Sequence, residues 1–560
     1  YQRGNHAAAV SQIDAALRVQ PNVSDAFNNR GNALRGLNRL DEALASFDRA
    51  IALDPGFAES FFNRGVVLQE MNRLDEALAS YDRAIALNAL HAKAFNNRGN
   101  VLKEMKRLDE ALASYDRAIA LRPDYAEAFN NRGNALKGLM RLDEALASFD
   151  HAIALKPGFA EAFNNRGIAL EEVNRREEAL ASYDQAITLN SRYAEAFHNR
   201  GNVLKELKRL DKALASHDRA IALKTGYAGA FYSRGMVRLL DGRYGTAWLD
   251  YEWRWSVKEF PSRPPKIDAP VWQGEDLTGR RIVVYAEQGM GDVIQFTRYL
   301  PLLVRRGAAV TFFSPAGLVR LLRPLDAAIE IISTIDGSEA FDFQCALMSL
   351  PHRFGTELSS IPDRIPYLAA EDDLIARWKP LIGEHGFKIG IAWQGNPKGK
   401  IDQGRSIPLS EYVPLSGVPG VRLISLQKTH GLDQLATLPQ GTVETLGDDF
   451  DTGPDAFVDT AAVIAHLDLI ITSDTSIAHL AGALGRPTWV ALKHVPDWRW
   501  LLGREDSPWY PTMRLFRQQT DGDWKLVFAK IAQELGLLAG TAGHPLSADG
   551  GQPPSSELPT

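Results

Sequence analysis

Asp292 ends the stretch Y-A-E-Q-G-M-G-D at 285–292, in which two acids bracket two glycines. A carboxylate held in such a turn can take the proton of an attacking hydroxyl, so Asp292 is the expected general base, with Glu287 second. The stretch follows the apolar run R-I-V-V-Y at 281–285. Val293, Ile294, Phe296, Thr297 and Leu300 then recur at helical spacing, which reads as strand, tight glycine turn, helix. Gly289 and Gly291 are expected to let the backbone approach a ligand, and Asp292 to open the helix at the rim of a sheet, where α/β domains take their substrates.

A second group lies in D-L-I-I-T-S-D-T-S-I-A-H-L-A-G-A-L-G-R-P, residues 468–487. Strand 468–472 runs into a polar loop, and Thr475 and Ser476 start a helix that Gly485 and Pro487 end. Unpaired N–H groups, the helix dipole and hydroxyls together suit a diphosphate, with Asp474, Thr475, Ser476 and His479 as the donor-binding set. The same residues serve equally as ordinary N-caps, and His479 as a buried structural histidine. Candidate cations for a departing phosphate are Lys398, Lys400 and Arg405, in the polar loop after Trp393, and Lys428 at the end of L-I-S-L-Q-K. Gln427 is placed to read a base. In the plainer reading these are solvated loop side chains. The D-x-D pairs Asp449/Asp451 and Asp521/Asp523 sit in turn-like contexts, so no metal or other cofactor is expected. Trp498, Trp500, Trp509 and Tyr510 can stack a base or sugar, with packing expected for at least two of them.

These groups must be positioned by what precedes them. Gly31, Gly65, Gly99, Gly133, Gly167, Gly201 and Gly235 are spaced 34 apart, as are the phenylalanines from Phe27 to Phe231. That period means a solenoid of helical hairpins. Small residues let the helices of a hairpin approach, aromatics fill the gaps, and Pro55, Pro123 and Pro157 stop the second helix. The pattern resembles the tetratricopeptide repeat, with six full copies from about Ser24 to Tyr227. Arg30 and its equivalents to Arg234 replace the usual leucine and are expected to pair with the equally periodic series Asp48 to Asp218. Asn29, Asn63, Asn97, Asn131, Asn165 and Asn199 recur on the first helix, which lines the inner surface of such solenoids. A carboxamide offers a donor and an acceptor and so matches any peptide unit, which suits a sequence-tolerant protein guest. The row resembles the asparagine ladder of the repeat domain of O-GlcNAc transferase, where the ladder holds acceptor protein. Simple repeat duplication with solvated asparagines is the alternative.

Past residue 280, strand and helix patterns alternate in two doubly wound lobes facing across a cleft. G-M-G-D in the first lobe with S-D-T-S-I-A-H-L-A-G-A-L-G in the second is similar to the bacterial heptosyltransferase family and its repeat-fused relatives, nucleotide-sugar transferases of the GT-B fold. The likeness runs from roughly Arg280 to Leu537. It implies that Asp292 is the base and that Thr475, Ser476 and His479 hold the donor diphosphate. Ser476 stands where that family commonly has glycine. The expected fold is thus an α-solenoid of tetratricopeptide repeats (1–256), a proline-rich linker (257–279) and a Rossmann-like GT-B pair. The pair comprises an acceptor-side lobe (280–371), an inter-lobe connection (372–386) and a nucleotide-sugar lobe (387–537), followed by a disordered tail (538–560).

Composition narrows the partners. A net charge of -6 argues against a nucleic-acid binder, and no apolar run approaches a membrane span. The lone Cys345 points to a reducing, cytoplasmic setting. The chain opens at Tyr1 inside a repeat, so a preceding segment of unread targeting content is expected. The leading expectation is an inverting transfer of sugar to Ser or Thr of a protein held in the solenoid, with flagellin or another surface protein as the analogy. A glycan or lipid acceptor, or an inactive repeat scaffold, stays open.

Overall fold

The computed structural model describes residues 6–335, 339–397, 402 and 404–542. It divides into two compact units, Tyr1–Thr225 and Gly226–Thr560, so the seam falls before the last helical hairpin rather than at the expected 256.

In the first unit thirteen helices run from α1 (His6–Val19) to α13 (Leu210–Leu223) among the described residues. Helices end at Leu53, Leu121 and Leu155, two residues before the expected proline stops. The repeated glycine has a steric cause. A Cβ on Gly31, Gly99 or Gly167 would stand 2.6 Å from the ring of Phe47, Tyr115 or Tyr183, each fully buried on the second helix of the same hairpin. From Arg64 to Arg200 the arginines pair with the expected acids of the preceding repeat, while Arg30 pairs with Asp14 and Arg234 with Asp250 of its own hairpin. Arg64 Nε donates to Asp48 Oδ1 at 2.7 Å while its Nη1 donates to Ser80 Oγ at 2.7 Å, and Arg98, Arg132, Arg166 and Arg200 repeat the arrangement. With the aspartates about half exposed, each pair contributes at most ~1 kcal/mol.

The second unit opens with one more hairpin, α14 (Ala228–Leu240) and α15 (Tyr244–Tyr251), followed by a 3-10 turn at Glu252–Ser256. The proline-rich connector then lies along a sheet edge: Val271 bridges to Gln344, and Trp272 is fully buried. β1 (Arg281–Tyr285), β2 (Ala309–Phe313), β3 (Ile329–Ile332) and β4 (Phe343–Ala346) form a parallel sheet in the order β3-β2-β1-β4. Between β1 and β2 comes α16 (Met290–Phe296), which starts two residues before Asp292. Helix α17 (Asp372–Ile382) leads to a second parallel sheet. Its strands are β5 (Phe387–Ala392), β6 (Val421–Ser425), β7 (Leu469–Ser473), β8 (Thr488–Leu492) and β9 (Met513–Arg517), in the order β6-β5-β7-β8-β9. Strand β9 was not anticipated, because M-R-L-F-R mixes charge into a short run beside an aromatic-rich segment. Helix α18 (Val458–Ile464) precedes β7, α19 (Ser476–Ala483) follows it, and α20 (Trp524–Ala542) closes the unit, five residues beyond the expected end at Leu537. Of the expected disordered tail, 543–560 lies outside the described residues.

Each sheet reverses its strand order once, β1 lying between β2 and β4, and β5 between β6 and β7. Crevices at such switch points, beyond the carboxyl ends of the strands, are where open α/β sheets bind ligands. The glycine turn follows β1, and the Ser473–Ser476 loop follows β7.

Candidate active site

The two turns meet. Helix α16 packs on α19, and a Cβ on Gly291 would lie 2.9 Å from His479 Cδ2 and 3.3 Å from Ser476 Oγ. Gly291 is therefore small so that one lobe can close on the other, which replaces the expected approach to a ligand. Gly289 has an ordinary backbone, φ -86°, and the left-handed residue of the turn is Gln288, φ 62°. Asp292 occupies the third position of α16, where its Oδ2 accepts from Gly289 N at 2.8 Å and caps the helix.

The other oxygen of Asp292 pairs with Arg499 Nη2, from the opposite lobe. Arg499 also donates through Nε to Gln295 Oε1 at 2.6 Å, on α16, and through Nη1 to Asp497 Oδ1 at 2.8 Å. The guanidinium is 8% exposed, whereas Asp292 is 20% exposed and so open at one edge. Burial pushes the Asp292 carboxyl up from its usual range, and the Arg499 charge pulls it back. Asp474 is pushed up to about 6, first by burial and then by the Asp497 carboxylate, with Arg405 opposing. Arg405 thus belongs to this cluster of three aspartates and two arginines. Its own close neighbour is Asp402, at 3.5 Å.

Thr475 is the N-cap residue of α19, its hydroxyl 3.2 Å from that of Thr472, and Ser476 begins the helix half-exposed. His479 is buried, stacked on Trp500 at 5.5 Å, with Nδ1 3.1 Å from Tyr510 Oη. Burial and the surrounding arginines hold it neutral, well below the usual histidine range, so it brings no positive charge.

Several expected contributors are engaged elsewhere. Glu287 is buried in a two-bond pair with Arg254, Nε to Oε2 at 2.8 Å and Nη2 to Oε1 at 2.7 Å, so it is no second base. Gln427 is a latch: its Oε1 accepts from Trp393 N at 3.0 Å and its Nε2 donates to Gln394 O at 2.8 Å, leaving it spent on backbone rather than on a base. The Lys428 ammonium is bound to the Phe450 carbonyl. Lys398 lies outside the described residues, as does Lys400. Asp451 caps α18, accepting from Asp459 N at 3.0 Å and from the Thr460 hydroxyl. Trp498, Trp500, Trp509 and Tyr510 are all at most 2% exposed and pack rather than stack on a ligand.

The asparagine row is half-buried apart from the exposed Asn29 and the buried Asn63. It is used between repeats: Nδ2 of Asn63, Asn131, Asn165 and Asn199 donates at 3.0 Å to Oδ1 of Asn28, Asn96, Asn130 and Asn164 of the preceding repeat. Asn97 accepts from Asn96 at 3.2 Å. One of the two carboxamide N–H groups is thus used between repeats in four of the six.

Residues 452–492, which hold β7, α19 and β8, match the family model for glycosyltransferase family 9 (heptosyltransferase). Residues 1–56, 58–89, 99–139, 126–159 and 173–208 match tetratricopeptide-repeat models. Over 318 residues the chain is 27% identical to Protein FlbA of Caulobacter vibrioides, a match covering 52% of either protein. The chain therefore spans about half the length of this curated relative. Among solved structures, YrrB, described as a TPR protein with an unusual peptide-binding site, is 29% identical over 33% of this chain and 96% of its own, with a TM-score of 0.30. PilF of Pseudomonas aeruginosa is 21% identical over 37% of this chain and 94% of its own, with a TM-score of 0.34. The chain carries tetratricopeptide repeats, and the family 9 segment supports a glycosyltransferase with a repeat module.

Proposed function

We propose that the chain is a metal-independent, inverting glycosyltransferase of the GT-B type, moving a sugar from a nucleotide diphosphate to Ser or Thr of a protein acceptor, in the cytoplasm. The observation that carries this reading is the convergence at Gly291, where the acid turn after β1 and the hydroxyl-bearing helix start after β7 close on one another. Transfer needs a base for the acceptor hydroxyl on one side and positive polarisation for the departing diphosphate on the other. In this reading Asp292 takes the hydroxyl proton as oxygen attacks the anomeric carbon. The N–H groups and hydroxyls at Thr475 and Ser476 receive the phosphate oxygens, helped by Arg405 and by Arg499. Arg499 keeps Asp292 ionised and aimed, and the transition state carries oxocarbenium character.

The test is nucleotide release from UDP-, GDP-, ADP- and dTDP-sugars. Wild type is expected to release nucleotide from at least one, and Asp292→Asn to lose about 10²-fold or more. Silence across all donors would favour an inactive scaffold, and an undiminished variant would remove the base.

A second reading, with a glycan or lipid acceptor and the repeats as a docking module, is favoured by the asparagine donors committed between repeats. Asn29→Ala with Asn97→Ala leaves those bonds in place. Loss of protein modification with donor hydrolysis spared supports the protein acceptor, such as a surface protein of the flagellin class. Unchanged modification supports the second reading.

A further inference from the structure

The hairpin α14–α15 carries the solenoid's 34-residue period but is bound into the catalytic unit. Trp248 Nε1 donates to Thr356 O at 2.8 Å in the first lobe, and Tyr244 Oη accepts from Trp509 Nε1 at 3.1 Å in the second. Its last residue, Tyr251, and the 3-10 turn that follows it hold the turn that bears Asp292. Arg254, fully buried, grips Glu287 through two bonds and Ser349 Oγ through a third at 2.8 Å. The next residue, Gln288, is held from both ends: its Nε2 donates to Tyr251 Oη at 2.6 Å and its N to Ser262 Oγ at 2.9 Å. Gln288 needs that hold, because φ 62° is a conformation a side-chain-bearing residue rarely keeps unaided. Gly289 follows, and its N–H fixes Asp292.

We propose that Arg254 and Tyr251 are positioning residues for Asp292: the last repeat hairpin clamps Glu287 and Gln288 and so sets where the carboxylate of the glycine turn points. The proposal rests on the glycosyltransferase reading for its kinetic consequence but not for its structural one. Neither residue reaches the crevice itself. Their grip is on the Glu287 and Gln288 side chains of the turn, whose Gly289 N–H holds one Asp292 oxygen while Arg499 holds the other. A misplacement of this kind lowers turnover without touching the donor's helix start in the other lobe.

The experiment uses the full chain. Tyr251→Phe removes one hydroxyl and leaves the packing, so it is the variant expected to fold. Arg254→Met alone would strand Glu287, so it is made with Glu287→Gln. Both variants are expected to lose roughly ten- to a hundredfold in kcat with donor KM and nucleotide Kd within about twofold of wild type. Amide exchange is read in parallel and needs no activity: residues 286–292 should exchange faster in Tyr251→Phe while β7 and α19 do not change. A kcat within about twofold of wild type in both variants, equal loss of rate and nucleotide affinity, or unchanged exchange at the turn would each overturn the proposal. If wild type neither binds nor turns over any nucleotide sugar, the enzyme reading fails, and the exchange measurement alone decides whether the hairpin holds the turn.

Discussion

Replacing Arg499 with methionine keeps the apolar stem and strips the guanidinium from between Asp292 and Asp497. Three contacts go: the pair with Asp292, the 2.8 Å bond to Asp497 Oδ1 and the 2.6 Å bond to Gln295 Oε1. Removing one partner of a fully buried ion pair costs about 3–5 kcal/mol. Here the stranded carboxylates are 20% and 25% exposed, so water reaches both and the expected loss is nearer ~2–3 kcal/mol. For a unit of this size that is on the order of 3–4 °C in Tm. The pH effect has a definite sign. Burial raises the affinity of Asp292 for a proton and Arg499 lowers it, so without Arg499 burial is opposed only by the Gly289 N–H and Arg405. A base works only when ionised, and its activity fails as pH falls through its pKa. The acid limb of the rate profile should therefore move to higher pH in Arg499→Met, with Arg499→Lys in between because it restores the charge but not the fork. Initial rates of nucleotide release across the acid and neutral range, with melting curves beside them, measure both quantities. An acid limb that stays in place or moves to lower pH would refute the coupling between Arg499 and Asp292.

Two further outcomes are expected. Gly291→Ala puts a methyl 2.9 Å from His479 in the facing lobe, and should cost about 1–3 kcal/mol in a thermal melt and weaken nucleotide binding by calorimetry. In the repeats, Glu171 is pushed up from 4.5 to about 7, chiefly by burial, with Tyr183 hydrogen-bonded to it. Its contribution is fully present below the unfolded value and lost as pH rises through about 7, a loss of about 3 kcal/mol. Glu171→Gln should therefore melt above wild type at alkaline pH and lose that advantage on acidification. A pH-independent difference would show that the carboxyl is not the cause.

The repeat array was legible because its determinants are local and periodic: Gly31 faces Phe47 within one hairpin, and the same pair returns every 34 residues. The strands were legible where they are apolar on both faces, as in β7 and β8, and β9 was missed because Arg514 and Arg517 break its run. The turn after β1 and the helix start after β7 announced themselves by glycine, hydroxyl and acid spacing. Side-chain partners were another matter. Arg499 lies 207 residues from Asp292 and is hidden among tryptophans, so it read as part of a packing segment. Glu287 looked like a spare carboxylate because its partner, Arg254, falls at the end of what read as the solenoid. Gln427 and Lys428 were credited with ligand roles that depend on where a side chain points, which spacing along a strand end does not fix.

The hairpin at 228–251 also decides where this chain can be taken apart. Whole units can be gained or lost upstream by recombination at any multiple of the period, since each closes on itself through the glycine–aromatic contact and meets its neighbour through the same Arg–Asp joint. The final copy is no longer interchangeable, for its outward face carries Tyr244, Trp248 and Tyr251, and the 3-10 turn after it carries Arg254, to fit one specific partner surface. A splice at 256 would bare those aromatics and orphan a buried acid. A splice at 225 would cut a seam that the architecture already provides.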